Sequence, residues 1–251
     1  MLKEERQLRV LEMLRVEGKL VATDLSEALG VSEDTVRRDL RELSEAGKLQ
    51  RVHGGALPRS TVEMNYAARE RQASAAKAAV ARAAVKLIES GQVIVMDGGS
   101  TALQVVQRLP ADLEATIVTH SPRIAVALAE YPKVEVVVVG GVLYKADLLT
   151  VGAETVKTFS SVNADVCMQG IWGLHPEIGI TYPNYEEVHV KRAMMESANQ
   201  VVALASAEKL GTVSSFGVAP ASAFTHLVTE RTVPDEILDP FRKLGIEVVT
   251  G

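Results

Sequence analysis

Apolar residues recur along the first fifty positions at the spacing of short helices. Leu8, Leu11 and Leu14, with Val10 added, predict an amphipathic helix over Glu4–Glu17, and Gly18 stops the pattern. Leu25, Ala28 and Leu29 fall at i, i+3 and i+4. They predict a second helix that Thr23 can cap and that Gly30 closes in the left-handed conformation glycine tolerates. Ser32 is placed to cap a third helix, whose first turn carries Glu33 and Asp34 beside the positive end of the helix dipole and which Gly47 ends. On that helix Val36, Leu40 and Leu43 form one buried stripe, and Arg37, Arg38 and Arg41 point away from it. Lys48–Ala56 then reads as a short strand containing the pair Gly54-Gly55, with Leu20-Val21 as its partner, so a β-wing is expected beside the third helix.

The pattern changes after Pro58. The polar run Arg59-Ser60-Thr61 opens an expected linker over residues 59–73, which divides the chain into a small domain, 1–58, and a large one, 74–251. Val80, Ala83, Ala84, Leu87 and Ile88 predict a helix at the start of the large domain. Short apolar runs then alternate with helical patterns: Val93–Met96, Ala115–Thr119, Val134–Val139, Ala164–Ile171, Val201–Ala205, His226–Thr229 and Ile246–Thr250. Runs this uniformly apolar suit strands covered on both faces, so the fold class is α/β, with an open, mostly parallel sheet flanked by helices. In such sheets ligands sit beyond the carboxyl ends of the strands.

Composition narrows the class. With 47% hydrophobic and 24% charged residues, the 251-residue chain is neither disordered nor collagen-like. Its apolar runs fall far short of the ~20 residues a membrane span needs, so no membrane partner is expected. The charged start Met1-Leu2-Lys3-Glu4-Glu5-Arg6 lacks the apolar segment of an export signal, and Cys167 has no second cysteine to pair with. Both point to the cytoplasm. A net charge of −5 argues at first against nucleic acid. Residues 1–59, however, hold eleven basic and eleven acidic side chains, so the whole excess lies in the large domain and the two domains suit different partners.

Two helices joined by a glycine turn, the second displaying arginines, is the geometry that sets a recognition helix in a DNA major groove. Guanidinium forks suit guanine edges and phosphates alike. The candidate DNA contacts are Ser32, Thr35, Arg37, Arg38 and Arg41 on the third helix, with Lys48, Arg51 and His53 of the wing facing the phosphate backbone. The alternative is a solvated charged face in which Glu42 and Glu45 pair with Arg38 and Arg41.

In the large domain Asp97-Gly98-Gly99-Ser100-Thr101 follows the first strand and precedes a helix, which resembles a phosphate cradle. It matches neither the dinucleotide fingerprint nor the lysine-bearing ATP loop, and a bare glycine turn is the alternative. Thr119-His120-Ser121-Pro122-Arg123 and Gly140-Gly141 follow the next two strands. Glu186, Glu187 and Lys191 begin a helix running to Ala198, and Lys209 follows the strand Val201–Ala205. Donors for phosphate with a carboxylate for hydroxyls suit a small phosphorylated polyol. Trp172, Tyr182 and Tyr185 read as packing the loop over such a pocket, with lining it as the alternative. Cys167, His175, Glu177 and His189 match no compact zinc spacing, so neither a metal nor another cofactor is expected.

Val31-Ser32-Glu33-Asp34-Thr35-Val36-Arg37-Arg38-Asp39-Leu40-Arg41-Glu42-Leu43, followed by Arg51-Val52-His53-Gly54-Gly55-Ala56, resembles the helix-turn-helix signature of the DeoR family of bacterial transcriptional regulators. The order of the Asp97–Thr101 loop, Thr119-His120-Ser121, Gly140-Gly141, Gly152, the Glu187–Met194 helix and Glu208-Lys209-Leu210-Gly211 resembles that family's effector-binding domain. The resemblance implies a winged helix-turn-helix joined to a domain similar in fold to ribose-5-phosphate isomerase. It also implies phosphate at Gly98–Thr101, with Glu187 and Lys209 facing a sugar. The chain departs from the family at His120, where asparagine is usual, at Ser206, where aspartate is common, and in carrying Trp172 and His175 within Gly170–Gly179. The expected function is therefore a repressor of sugar metabolism that binds operator DNA as a homodimer or higher oligomer under control of a phosphorylated sugar. The other reading is a sugar-phosphate isomerase or deaminase that uses Asp97, Glu187 or Lys209 as acid and base.

Overall fold

The computed structural model describes residues 1–60 and 65–251. The N-terminal unit comprises α1 (Lys3–Glu17), β1 (Leu20–Val21), α2 (Ala22–Leu29), α3 (Glu33–Glu45), β2 (Gln50–Val52) and β3 (Gly55–Leu57). Its core gathers Val10, Leu14, Leu25, Val36, Leu40, Leu43 and Leu49. Leu8 does not join it and is 63% exposed. The buried face of α1 runs through Val10 and Leu14, one turn apart, and Arg6 lies one turn before them. Thr23 does not cap α2: the helix begins at Ala22, whose N–H is satisfied by the carbonyl of Gly54 in the wing. Ser32 does cap α3, accepting from the Thr35 N–H at 3.3 Å. Gly47, at φ 73°, ends α3 with paired bonds from Gly47 N to Ser44 O and from Lys48 N to Leu43 O. The expected single strand is a hairpin, since Gly54 at φ 78° turns the chain and β3 lies between β1 and β2. A Cβ on Gly55 would sit 1.9 Å from the Leu20 carbonyl oxygen, so only glycine lets β1 and β3 meet there.

Pro58 to Ser60 run against the larger unit, where Ser60 N donates to Val213 O and Val213 N to Pro58 O, both at 3.0 Å. Thr61, the last residue of the expected linker run, lies outside the described residues. Within the rest of residues 59–73 a short helix forms that the sequence reading did not anticipate, α4 (Tyr66–Arg71), capped by Asn65. The larger unit continues with α5 (Ser74–Ala84), β4 (Val93–Met96), α6 (Ser100–Val106), β5 (Ala115–Thr119), α7 (Pro122–Leu128) and β6 (Val134–Val138). Next come β7 (Val142–Tyr144), β8 (Leu149–Val151), α8 (Ala153–Phe159), β9 (Ala164–Gly170), β10 (Gly173–His175), β11 (Gly179–Tyr182) and α9 (Tyr185–Glu196). The chain ends with β12 (Ala198–Leu204), β13 (Phe216–Ala219), β14 (His226–Thr229), α10 (Asp235–Arg242) and β15 (Glu247–Thr250).

All seven anticipated strands lie in one parallel sheet, ordered β15-β14-β12-β9-β4-β5-β6. Its central strands are covered on both faces: Ile94 and Met96 pack into one apolar cluster, and Val95 and Cys167 into another. The edge strand β6 is not, because Glu135, Val137 and Val138 are exposed. Between β4 and β9 the chain reverses its direction of progress across the sheet. Such a switch point leaves a crevice beyond the strand ends. Two small antiparallel sheets, β7-β8 and β10-β11-β13, overlie that end. None of the described helices is long and apolar enough to cross a membrane.

Candidate functional site

The helix-turn-helix presents one charged face. Arg37, Arg38 and Arg41 are exposed on α3, as are Lys48 before the wing and Arg51 and His53 within it. Ser32 is exposed and Thr35 half-buried at the start of the same helix. Glu33 holds Arg37 at 2.7 Å, while Arg38 and Arg41 have no ion-pair partner among the described residues. The alternative pairing with Glu42 and Glu45 does not form, since Glu42 is taken by Lys3 and Gln7, each at 2.7 Å. What holds α3 in place is a contact the sequence reading missed. Asp39, 2% exposed, accepts two bonds from the Arg6 guanidinium at 2.5 and 3.1 Å. Asp39 stands one turn before Leu43 and Arg6 one turn before Val10, so periodicity alone could have placed both on buried faces.

The second site occupies the switch-point crevice. Asp97 leaves the end of β4 and is saturated: Oδ1 accepts from Gly98 N at 2.7 Å, His120 Nε2 at 3.2 Å and Lys191, while Oδ2 accepts from Gly170 N at 2.9 Å and Gln169 Nε2 at 3.2 Å. Burial alone would raise its pKa, but Lys191 and His120 hold the carboxyl below the usual carboxylate range. Asp97 is thus an anchor for Lys191 rather than a poised base. His120 lies between Asp97 and the Thr150 carbonyl, 3.2 and 3.0 Å from its two ring nitrogens; burial pushes its pKa down, and the neutral ring has one N–H to share between these two acceptors.

Beyond Asp97 lies a cavity of about 50 Å³, lined by Gly99, Ser100, Thr101, Glu187, Lys191 and Lys209 together with Arg69, Lys77, Asp147, Trp172, Tyr182 and Glu208. Thr101 Oγ1 is buried there without a hydrogen-bond partner among the described residues, and the Lys209 amine makes no hydrogen bond or ion pair among them. Burial pushes the Glu187 carboxyl up to about 8, with Asp147 and Asp97 adding to the rise against Lys191, so it is protonated at neutral pH and donates to Asp147. Burial pushes Lys209 down to about 8. With Glu187 neutral, four cations (Arg69, Lys77, Lys191, Lys209) face three anions (Asp97, Asp147, Glu208), and the cavity carries a surplus positive charge.

The remaining anticipated residues stand elsewhere. Gly98 does not line the cavity: a Cβ there would meet Leu149 Cδ2 at 2.1 Å, so its role is to let β8 close over the loop. Ser121 caps α7, accepting from Ile124 N at 3.4 Å. Arg123 pairs with Glu70 at 2.9 Å and lies 4.6 Å from the Tyr66 ring centroid. Gly140 and Gly141 pack against Thr155, whose Oγ1 donates to Gly140 O at 2.7 Å. Trp172 and Tyr182, for which lining the pocket was the alternative to packing the loop over it, form part of the wall. Tyr185 is 57% exposed and rests on Phe216 and His189. Arg69, Lys77 and Asp147 were missed. Each reads as a surface charge in sequence and is buried only by long-range packing.

The family model described as DeoR-like helix-turn-helix domain matches residues 6–62, and that described as DeoR C terminal sensor domain matches residues 72–231. The chain is 35% identical to the HTH-type transcriptional regulator GlpR of Haloferax volcanii over 100% of its own length and 99% of that protein's. It is 27% identical to the glycerol-3-phosphate regulon repressor of Escherichia coli, covering 93% of each. Among solved structures, ribose 5-phosphate isomerase A of Methanocaldococcus jannaschii superposes with a TM-score of 0.39 at 18% identity, covering 53% of this chain and 52% of that one. The two matched segments together span nearly all of the recognition unit and most of the parallel-sheet unit, and the chain therefore belongs to the DeoR family of transcriptional regulators.

Proposed function

We propose that this regulator represses genes of carbohydrate metabolism, and that a phosphorylated sugar or polyol held in the switch-point cavity sets its affinity for operator DNA. The observation that carries this reading is the convergence of the buried, unpartnered Thr101 Oγ1 and the Lys209 amine, which makes no hydrogen bond or ion pair among the described residues, on one positively charged cavity. Buried polar groups are ordinarily paired, so a set left open together calls for a ligand that completes it. An oxyanion answers to Lys209 and Thr101, and a ligand hydroxyl can donate to the Glu187 carboxyl. A relative named as a glycerol-3-phosphate regulon repressor supports both the carbohydrate subject and the phosphorylated class of ligand.

On the DNA side, Arg38 and Arg41, which form no ion pair among the described residues, supply the readout, and Lys48, Arg51 and His53 track phosphates. A helix-turn-helix reads a half-site, so the working form is a homodimer or higher oligomer on a two-fold operator. Gel retardation of the chain's own promoter fragment at low salt tests the proposal. Wild type retards it, whereas the pair Arg38→Ala and Arg41→Ala does not. A double variant that binds as wild type removes α3 from the interface.

A further inference from the structure

The cavity is about 50 Å³, against roughly 300 Å³ or more for sites that take whole small molecules. A phosphorylated sugar therefore enters only if a wall moves. Most of the walls are strand ends and α9, which the core holds. The exceptions are the β7–β8 loop, which carries Asp147, and α4, whose six residues bury one aromatic side chain, Tyr66, and one cation, Arg69. Charges rather than apolar packing fasten α4. Arg69 reaches across the cavity to Asp147, on the loop between β7 and β8, and lies 5.2 Å from the Trp172 ring centroid. The Lys77 amine donates to the carbonyls of Arg69 and Gln72, and Glu70 pairs with Arg123 at 2.9 Å. The joint between α4 and α5 is Ala73, held at φ 49° in the left-handed region that alanine disfavours. Upstream, α4 begins nine residues after the wing's last strand, and Ser60 donates to the Trp172 carbonyl at 2.7 Å.

We infer that Arg69 is a ligand-binding residue supplied by the segment that joins the two domains: the anionic group of an arriving phosphorylated compound takes the place of Asp147 on its guanidinium, and α4 is released from its present seat. This rests on the reading of the cavity as the effector site and adds how occupancy reaches the DNA-binding unit. A dianionic phosphate outcompetes a carboxylate for a guanidinium fork by charge and by number of acceptors. The exchange opens the wall that blocks entry and relaxes the Ala73 joint, and both consequences act on the chain leading to β3.

Hydrogen exchange of amides 66–72 and affinity for the chain's own promoter fragment, measured on the full chain as wild type, Asp147→Asn and Arg69→Gln, test this without any ligand. Losing the charge-assisted bond should speed exchange across α4 about tenfold. It should also change promoter affinity by about fivefold or more. The two substitutions combined should do no more than either alone. Wild-type exchange and affinity in Asp147→Asn would overturn the inference whatever the effector is. A thermal-shift panel of inorganic phosphate with triose, pentose and hexose phosphates supplies the other arm. Whichever compound stabilises wild type should bind Arg69→Gln about tenfold more weakly. Equal binding by the two proteins overturns the inference while the effector reading stands. A panel that leaves wild type unshifted overturns the effector reading, and the Asp147→Asn result then decides the role of Arg69 alone.

Discussion

Replacing Glu187 with glutamine removes a titration that the folded chain should display. Burial raises the carboxyl from 4.5 to about 8, so between those values the folded state holds a proton that the unfolded state has released. The stability this proton confers is complete below pH 4.5 and is lost as pH rises through the folded value near 8. Each unit of pH within the window costs up to about 1.4 kcal/mol, so raising pH from about 5.5 to about 7.5 should cost wild type about 2 to 3 kcal/mol from this group. The glutamine amide carries no such charge, and the stability difference between Glu187→Gln and wild type should move in the variant's favour by that amount. Lys209, lowered to about 8, acts with the opposite sign at higher pH: its contribution is gained between about 8 and 10.5, outside this interval. Trp172 is the chain's single tryptophan and lies in the cavity wall, so its fluorescence during urea unfolding follows the sensor domain directly. A difference that stays level from pH 5.5 to 7.5 would refute a buried, protonated Glu187 and with it the cavity's surplus positive charge.

Other expectations follow from the same geometry. Asp39→Ala strands the Arg6 guanidinium and should destabilise the N-terminal unit by about 3 kcal/mol, seen as an earlier first transition in calorimetry with the Trp172 signal unmoved. Gly55→Ala sets a methyl against the Leu20 carbonyl, and a cost of about 3 kcal/mol or more should abolish promoter retardation while Trp172 reports a native sensor domain. Gly170→Ala would bring a Cβ to 2.9 Å from Asp97 Oδ2, and loosening that anchor should weaken any phosphorylated ligand that stabilises wild type, as thermal shift reads it.

Much of the architecture is legible in the sequence because buried parallel strands announce themselves as uninterrupted apolar runs. All seven runs fall in the large sheet. Their limits err by up to three residues: β12 begins at Ala198, three residues before the apolar run, because polar Gln200 still pairs, and β15 begins at Glu247, one residue after its run. The short antiparallel strands β7, β8, β10, β11 and β13 escape notice: each has three or four residues, too few to show a period of two. Leu8 misleads because three leucines at spacing three drift around a helix, while Arg6, Val10 and Leu14 at spacing four keep to one face. In the cavity, Asp97, Gly99, Ser100, Thr101, Glu187 and Lys209 are readable from their places at strand ends and helix starts. Arg69, Lys77 and Asp147 are not, since a charged side chain is exposed by default and only the fold brings these three under one roof.

Fluorescence anisotropy of the labelled promoter fragment, titrated with the full chain at fixed salt, puts the two sites in one experiment. The account predicts that at least one phosphorylated sugar or polyol changes promoter affinity about fivefold or more, and that Lys209→Met binds the fragment as wild type does but ignores the compound. Promoter affinity that no phosphorylated compound alters, or a Lys209→Met protein that responds as wild type does, contradicts it.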